Sequence, residues 1–176
     1  TSIKGYTITY DAIGNPLKWT DNRTLTWENG RQLKTIAKNG SGTTYMSNGD
    51  GLRTEKWGDR TTQYIILDGT YLGEKTTFYG GTTYLITYIY GAEGSVIGLD
   101  VNGTAYYFVK NLQGDVTSII DINGNILANY SYDAYGYIMS ITDGNGNEVT
   151  SATHIANLNP FRYRSYFYDQ ETGFYY

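Results

Sequence analysis

Asn-Gly, Asp-Gly and Gly-Gly pairs punctuate this chain at short intervals, and each stands between two runs rich in β-branched and aromatic residues. Asn29-Gly30, Asp68-Gly69, Gly80-Gly81, Asn102-Gly103 and Asn123-Gly124 are such pairs. Asn and Gly both tolerate the positive φ that a type I′ turn imposes, so each pair joins two antiparallel strands. Segments 25–28 and 32–36 flank the first pair, 63–67 and 71–75 the second, 76–79 and 82–90 the third, 96–101 and 104–109 the fourth, and 116–122 and 125–132 the fifth. Asn48-Gly49-Asp50-Gly51 joins 45–47 to 53–57 in the same way. The intervals leave no room for long helices. The fold class that follows is all-β, a curved antiparallel sheet of successive hairpins.

Composition sharpens this reading. There are 20 Tyr and 22 Gly against 5 Phe, 2 Met and 2 Pro. Tyrosine favours strands and glycine marks turns. A chain that spends its large residues on tyrosine keeps hydroxyl groups that want water or a partner, so the expected sheet has an aromatic, partly wet face. The region from Ile138 through 151–158 is the least regular, with a short helical turn expected at 152–156 in a flexible loop.

Several function classes are disfavoured. A net charge of −4 with scattered Lys and Arg provides no electrostatic footprint for nucleic acid. No apolar run is long enough for a membrane-spanning helix. With no cysteine and one histidine, a thiolate or His-rich metal centre cannot be assembled. Asp143, Asn145 and Asn147, and likewise Asp121, Asn123 and Asn125, have the opening spacing of a calcium loop. The EF-hand pattern then requires Gly and Glu where this chain has Glu148 and His154, or Ile126 and Tyr132, so hairpin turns are the better reading. No serine sits in a Gly-x-Ser-x-Gly elbow, and His154 reads as a solvated loop residue. Neither a phosphate loop nor a dinucleotide fingerprint is present, so no cofactor is expected. Trp19, Trp27 and Trp57 could form sugar-stacking platforms, but their strand periodicity favours cross-strand packing. A carbohydrate-binding module facing a cell-surface glycan is the alternative reading.

Three units share one local pattern: Tyr10-Asp11-Ala12-Ile13-Gly14, Tyr132-Asp133-Ala134-Tyr135-Gly136, and Tyr168-Asp169 followed by Gly173. Their aspartates recur in the same turn context, which fits turn capping better than paired-carboxylate catalysis. The last unit sits in Asn159-Pro160-Phe161-Arg162-Tyr163-Arg164-Ser165-Tyr166-Phe167-Tyr168-Asp169-Gln170-Glu171-Thr172-Gly173-Phe174-Tyr175-Tyr176. Read at period two, Phe161, Tyr163 and Phe167 share one face of a strand, and Arg162, Arg164, Tyr166 and Tyr168 the other. The guanidinium groups would then lie over tyrosine rings, and residues 169–173 would turn the chain into a return strand.

This terminal stretch closely resembles the core of the rearrangement-hotspot (RHS) proteins, the bacterial branch of the YD-repeat family. In that family an Asn-Pro-Phe-Arg-Tyr-Arg run leads into Tyr-Asp-x-Glu-Thr-Gly-x-Tyr-Tyr. The stretch from Asn111-Leu112-Gln113-Gly114-Asp115 to Gly136 also resembles the family core. The resemblance implies YD-repeat hairpins over 1–110 and a core segment over 111–176. It further implies a secreted or cell-surface bacterial shell that encloses a variable C-terminal polypeptide, often a toxin. The family's self-cleaving aspartates lie beyond the motif that ends at Tyr176, so no catalytic residue is expected here. The opening Thr1-Ser2-Ile3, with neither Met nor a leader, reads as that of an excised segment. The expected partners are the rest of the shell and its enclosed polypeptide, with open sheet edges available to a second copy.

Overall fold

The computed structural model describes residues 2, 3 and 6–176. The strands are β1 (Ser2–Ile3), β2 (Tyr6–Thr7), β3 (Thr9–Tyr10), β4 (Pro16–Lys18), β5 (Thr24–Glu28), β6 (Gln32–Lys38), β7 (Ser41–Ser47), β8 (Arg53–Trp57), β9 (Arg60–Leu67), β10 (Thr70–Phe78), β11 (Thr83–Tyr90), β12 (Val96–Val101), β13 (Thr104–Lys110), β14 (Val116–Ile120), β15 (Ile126–Tyr132), β16 (Ile138–Asp143), β17 (Tyr168–Asp169) and β18 (Phe174–Tyr175). One short helix, α1 (Ile155–Leu158), follows β16. Strands β3 to β16 form a 14-stranded sheet in chain order, and every pairing described is antiparallel. The all-β hairpin architecture expected from the sequence is therefore the architecture found. The side chain of Tyr6, expected to share a face with Ile8 and Tyr10, lies outside the described residues.

Two kinds of turn recur through the sheet. At Asn29-Gly30 (φ 46° and 88°) and Asn102-Gly103 (φ 51° and 88°) both residues are left-handed, as a type I′ turn requires. The second kind is a five-residue loop in which the first N–H donates to the fifth C=O and the fourth N–H donates to the first C=O. Residues 11–15, 48–52, 111–115, 121–125, 133–137 and 143–147 all form it. In each of these the first residue is Asp or Asn, and its Oδ1 accepts the third and fifth N–H groups. The side chain thus satisfies amides that the ladder leaves open. Pairing slips by one residue beside such loops, for example between Ser131 and Tyr132, which adds a bulge and local twist. Asn123-Gly124 belongs to this second class: Asp121 is its organising residue, and only Gly124 is left-handed.

The chain divides into two compact units, 1–84 and 85–176. In the first, Leu25, Ile36 and Thr43 are buried in one cross-strand row, and Tyr45, Lys56, Thr62 and Thr76 in another. Polar groups share this face. The Arg53 guanidinium lies 3.8 Å over the Tyr45 ring, Thr62 and Thr76 hydroxyls are 3.0 Å apart, and Thr76 donates to Glu74 Oε1 at 3.2 Å. The opposite face carries the register row Thr26, Thr35, Thr44, Trp57, Thr61 and Thr77. In the second unit the buried face is aliphatic and aromatic, with Ile86, Leu99, Val116, Ile119 and Ala128 at 0% exposure. The single wet aromatic face expected from composition therefore divides into a polar face in one unit and a dry one in the other.

Candidate functional site

The dry face of the second unit is covered by the chain that follows β16. Helix α1 packs on β15 and β16, burying Ala156, Asn157 and Leu158. The segment expected to be a flexible loop is thus seated at its C-terminal end, because its apolar residues are spaced to meet the sheet. Asn159 closes its own turn by accepting the Phe161 N–H (2.9 Å) and donating to the Phe161 C=O (2.8 Å). Its amide also reaches the Tyr130 hydroxyl at 3.3 Å. The Pro160 carbonyl accepts the Tyr168 N–H at 2.8 Å.

Phe161 enters the apolar face. Its ring centroid lies 4.9 Å from Tyr88 and 5.9 Å from Phe167, edge to face in both cases, and 6.2 Å from Phe108. Burying such a ring contributes about 1.5–3 kcal/mol. Arg162 follows it inward and is 1% exposed. Its guanidinium donates to the carbonyls of Asn159, Phe161 (3.2 Å) and Ala156 (2.6 Å), and lies 4.6 Å over the Tyr130 ring. A buried cation is thus held by carbonyl dipoles and an aromatic face. Its own backbone carbonyl accepts the Val116 N–H from β14 at 3.1 Å.

The continuous strand expected over this segment is not formed. Phe161 and Phe167 make one isolated bridge, and between them Tyr163–Ser165 form a tight 3-10 turn with Arg164 at φ 51° and Ser165 at φ 57°. Tertiary bonds hold these two residues in their left-handed state. The Arg164 N–H donates to Asp115 Oδ1 at 2.8 Å, and the Ser165 hydroxyl donates to the Gly114 carbonyl at 2.8 Å. Period-two alternation fails for the same reason: Phe161 and Arg162 are both buried. Arg164 does lie over an aromatic ring, 5.3 Å from that of Tyr163.

The Tyr-Asp unit at 132–136 is clamped by this segment. Asp133 Oδ1 accepts the Tyr135 and Tyr137 N–H groups at 2.8 and 2.9 Å. Tyr163 donates to the Ala134 carbonyl (3.1 Å) and Tyr175 to the Gly136 carbonyl (2.8 Å). Gly136 has φ 87°, and a Cβ there would stand 2.7 Å from the Tyr163 ring. Gly14, its counterpart at φ 89°, has nothing within 4 Å of the same position. Asp11 makes the same loop bonds as Asp133, to Ile13 and Asn15.

Tyr132 donates to the Val116 carbonyl at 2.8 Å, and burial raises its hydroxyl far above the usual phenol range. Burial likewise pushes Tyr175 up to about 12. Beyond Tyr168, the Asp169 carbonyl accepts the N–H groups of Thr172 (3.1 Å) and Gly173 (2.7 Å), and β17 pairs with β18. The turn expected at 169–173 is this one, with Glu171 inside it.

Other candidates are placed as follows. Asp143 Oδ1 accepts the Asn145 and Asn147 N–H groups, and its Oδ2 accepts the Asn147 amide, so both oxygens face donors. Asp121 is bonded in the same way by Asn123 and Asn125. Among the described residues no cluster of His, Cys, Asp or Glu side chains is arranged to hold a metal ion, and no helix is long and apolar enough to cross a membrane. Trp27 spends its indole N–H on the Pro16 carbonyl at 2.8 Å, Trp19 is half-buried, and Trp57 is exposed. The partners that sequence reasoning missed are Tyr130, Asp115, Gly114 and the Ala156 carbonyl, because each depends on a contact distant in sequence.

The whole chain aligns with two bacterial relatives. It is 31% identical over 180 residues to the tRNA3(Ser)-specific nuclease WapA of Bacillus spizizenii, and 29% identical over 180 residues to the tRNA nuclease WapA of Bacillus subtilis strain 168. The alignment takes in 100% of this chain, which spans only 7% of the length of either relative. The chain belongs to the RHS/YD-repeat family. No model of a known protein family matches it. Solved structures share the fold: the TcdB2-TccC3-Cdc42 crystal structure (TM-score 0.72, 21% identity) covers 95% of this RHS chain and 9% of its own. A Photorhabdus luminescens Tc holotoxin pore (TM-score 0.71, 21% identity) covers 95% and 8%.

Proposed function

We propose that this chain is a wall segment of an RHS shell that encloses a variable C-terminal polypeptide, a toxin or other effector, in a secreted or surface-associated bacterial protein. The supporting observation is the pairing of a hairpin-by-hairpin sheet with a terminal strap that seals one dry face, over the whole of which the chain aligns with WapA relatives. Residues 1–110 act as repeat hairpins and 111–176 as the core segment. The motif residues Tyr10, Asp11 and Gly14, Tyr132, Asp133 and Gly136, and those from Asn159 to Gly173 serve structure. The segment performs no catalysis. Its partners are the neighbouring shell and the enclosed polypeptide, and open strand edges are available for pairing with neighbours.

The decisive experiment is limited proteolysis of the full-length parent, wild type against Phe161→Ala. Protection of the C-terminal polypeptide in the wild type, lost in the variant, is the expected result. Equal cleavage of that polypeptide in both, from the earliest time point, would overturn the proposal. A carbohydrate-binding role is not favoured by the relatives or the structural neighbours.

A further inference from the structure

The helix that opens the strap is capped by the chain's one histidine. His154 has extended backbone (φ −65°, ψ 144°), and its Nδ1 accepts the Ala156 N–H at 3.1 Å, the bond an N-cap makes to the second helical residue. The usual capping side chains, Ser, Thr, Asp and Asn, accept through oxygen at every pH near neutrality. Imidazole accepts through Nδ1 only while that nitrogen carries a lone pair, in the neutral Nε2–H tautomer. What the cap holds matters to the whole strap. The Ala156 carbonyl, one peptide further along, accepts both the Tyr130 hydroxyl (2.8 Å) and the Arg162 guanidinium (2.6 Å).

The geometry points to an acid-sensitive latch: a proton taken from solvent onto His154 Nδ1 removes the acceptor of the Ala156 N–H, unseats the first turn of α1, and loosens the strap from the dry face of the second unit.

Asp143, at the end of β16, is the carboxylate coupled electrostatically to His154. The Asn147 side chain and backbone hold Asp143 below the usual carboxylate range, so it stays ionised at both pH values of the test below and acts as a constant in the comparison. Glu148 is exposed beside its bridge to Thr142. From β15, Tyr130 presents a hydroxyl whose ionisation burial pushes upward, and Arg162 reaches Ala156 from within the strap. Neither changes charge in the acid range. The sign follows from the acceptor: the cap's contribution is present while Nδ1 carries its lone pair and is lost when a proton occupies it.

The test is hydrogen exchange of the 176-residue chain at pH 7.5 and pH 5.0, corrected for intrinsic rates, with the imidazole titration followed by NMR, where the single histidine needs no assignment. Protection over 155–162 should fall about fivefold more in wild type at the lower pH, the worth of one helix cap. His154→Asn, which caps through oxygen, should hold its protection at both pH values. His154→Ala should lose it at both. Equal protection at both pH values in wild type would overturn the latch, as would the same acid loss in His154→Asn. That asparagine variant keeps the question answerable should the alanine variant fail to fold. A neutral imidazole found by NMR as the Nδ1–H tautomer would also overturn it.

Discussion

The two units share one turn vocabulary and differ in what their buried faces ask for. In residues 1–84 the buried side chains include Lys56, Thr62, Glu74 and Thr76, and Arg53 and Arg60 lie over the rings of Tyr45 and Phe78. In residues 85–176 the strand side chains at 0% exposure are Ile86, Leu99, Val116, Ile119 and Ala128, and the same chain supplies Ala156, Leu158 and Phe161 to cover that face. A hairpin sheet is only locally specified by its turns. Its apolar face sets whether a further layer is required, since exposed aliphatic surface costs about 25 cal/mol per Å². The YD pattern therefore builds sheet in both units, and the Asn-Pro-Phe-Arg motif adds a second layer in one.

This comparison breaks most readily at Phe161. Phe161→Ala should cost about 3–5 kcal/mol, as large-to-small changes at buried rings do. Loss of exchange protection should be confined to residues 85–176; an equal loss in 1–84 would erase the distinction between the units. Arg162→Met keeps most of the volume but leaves the Ala156, Asn159 and Phe161 carbonyls without their guanidinium donor, costing about 3 kcal/mol in urea unfolding.

A sharper contrast uses two glycines of one motif. Gly14→Ala meets only the strain of a left-handed backbone, about 1 kcal/mol. Gly136→Ala meets that strain and the Tyr163 ring as well, and should cost about 3 kcal/mol by thermal melting. Similar costs at both sites would show that the strap does not press on the repeat.

Smaller effects test the loops themselves. Asp133→Ala should cost about 1 kcal/mol, the scale of a lost backbone cap, whereas Asp133→Asn should stay within about 0.5 kcal/mol. Asparagine already does this work at Asn48 and Asn111. The smallest effect is in acid. Asp121 and Asp143 are held below the usual carboxylate range by Asn125 and Asn147 respectively. Their stabilisation is present above the unfolded carboxylate value of about 3.9 and is lost as pH falls through the lower folded value. Asp143→Asn should flatten that part of the acid unfolding curve.

Much of the sheet was legible because its signals are local. Asn29-Gly30 and Asn102-Gly103 carry the φ values their side chains permit, whatever lies around them. Asn39-Gly40 makes the β6–β7 turn by the same rule, with φ 52° and 83°. Asn123-Gly124 shows where the rule stops: the aspartate two positions earlier competes for the backbone and converts the turn. The terminal segment has the alternation of a strand and does not form one. Phe161, Arg162 and Tyr163 alternate like strand residues, but Asp115 and Gly114, remote in sequence, hold Arg164 and Ser165 in a left-handed turn.

The sequence by itself determined the antiparallel class, the chain-order hairpins and the membership in the RHS/YD-repeat family, because turn chemistry and a dense terminal motif act over a few residues. Only the tertiary structure decided that the motif turns inward, that Arg162 is buried among carbonyls, and that His154 caps the helix that presents one of them. Those outcomes depend on which distant carbonyl, ring or carboxylate stands opposite each side chain. Such pairings are selected by burying the apolar face of β11 to β15, and no periodicity along the chain encodes them.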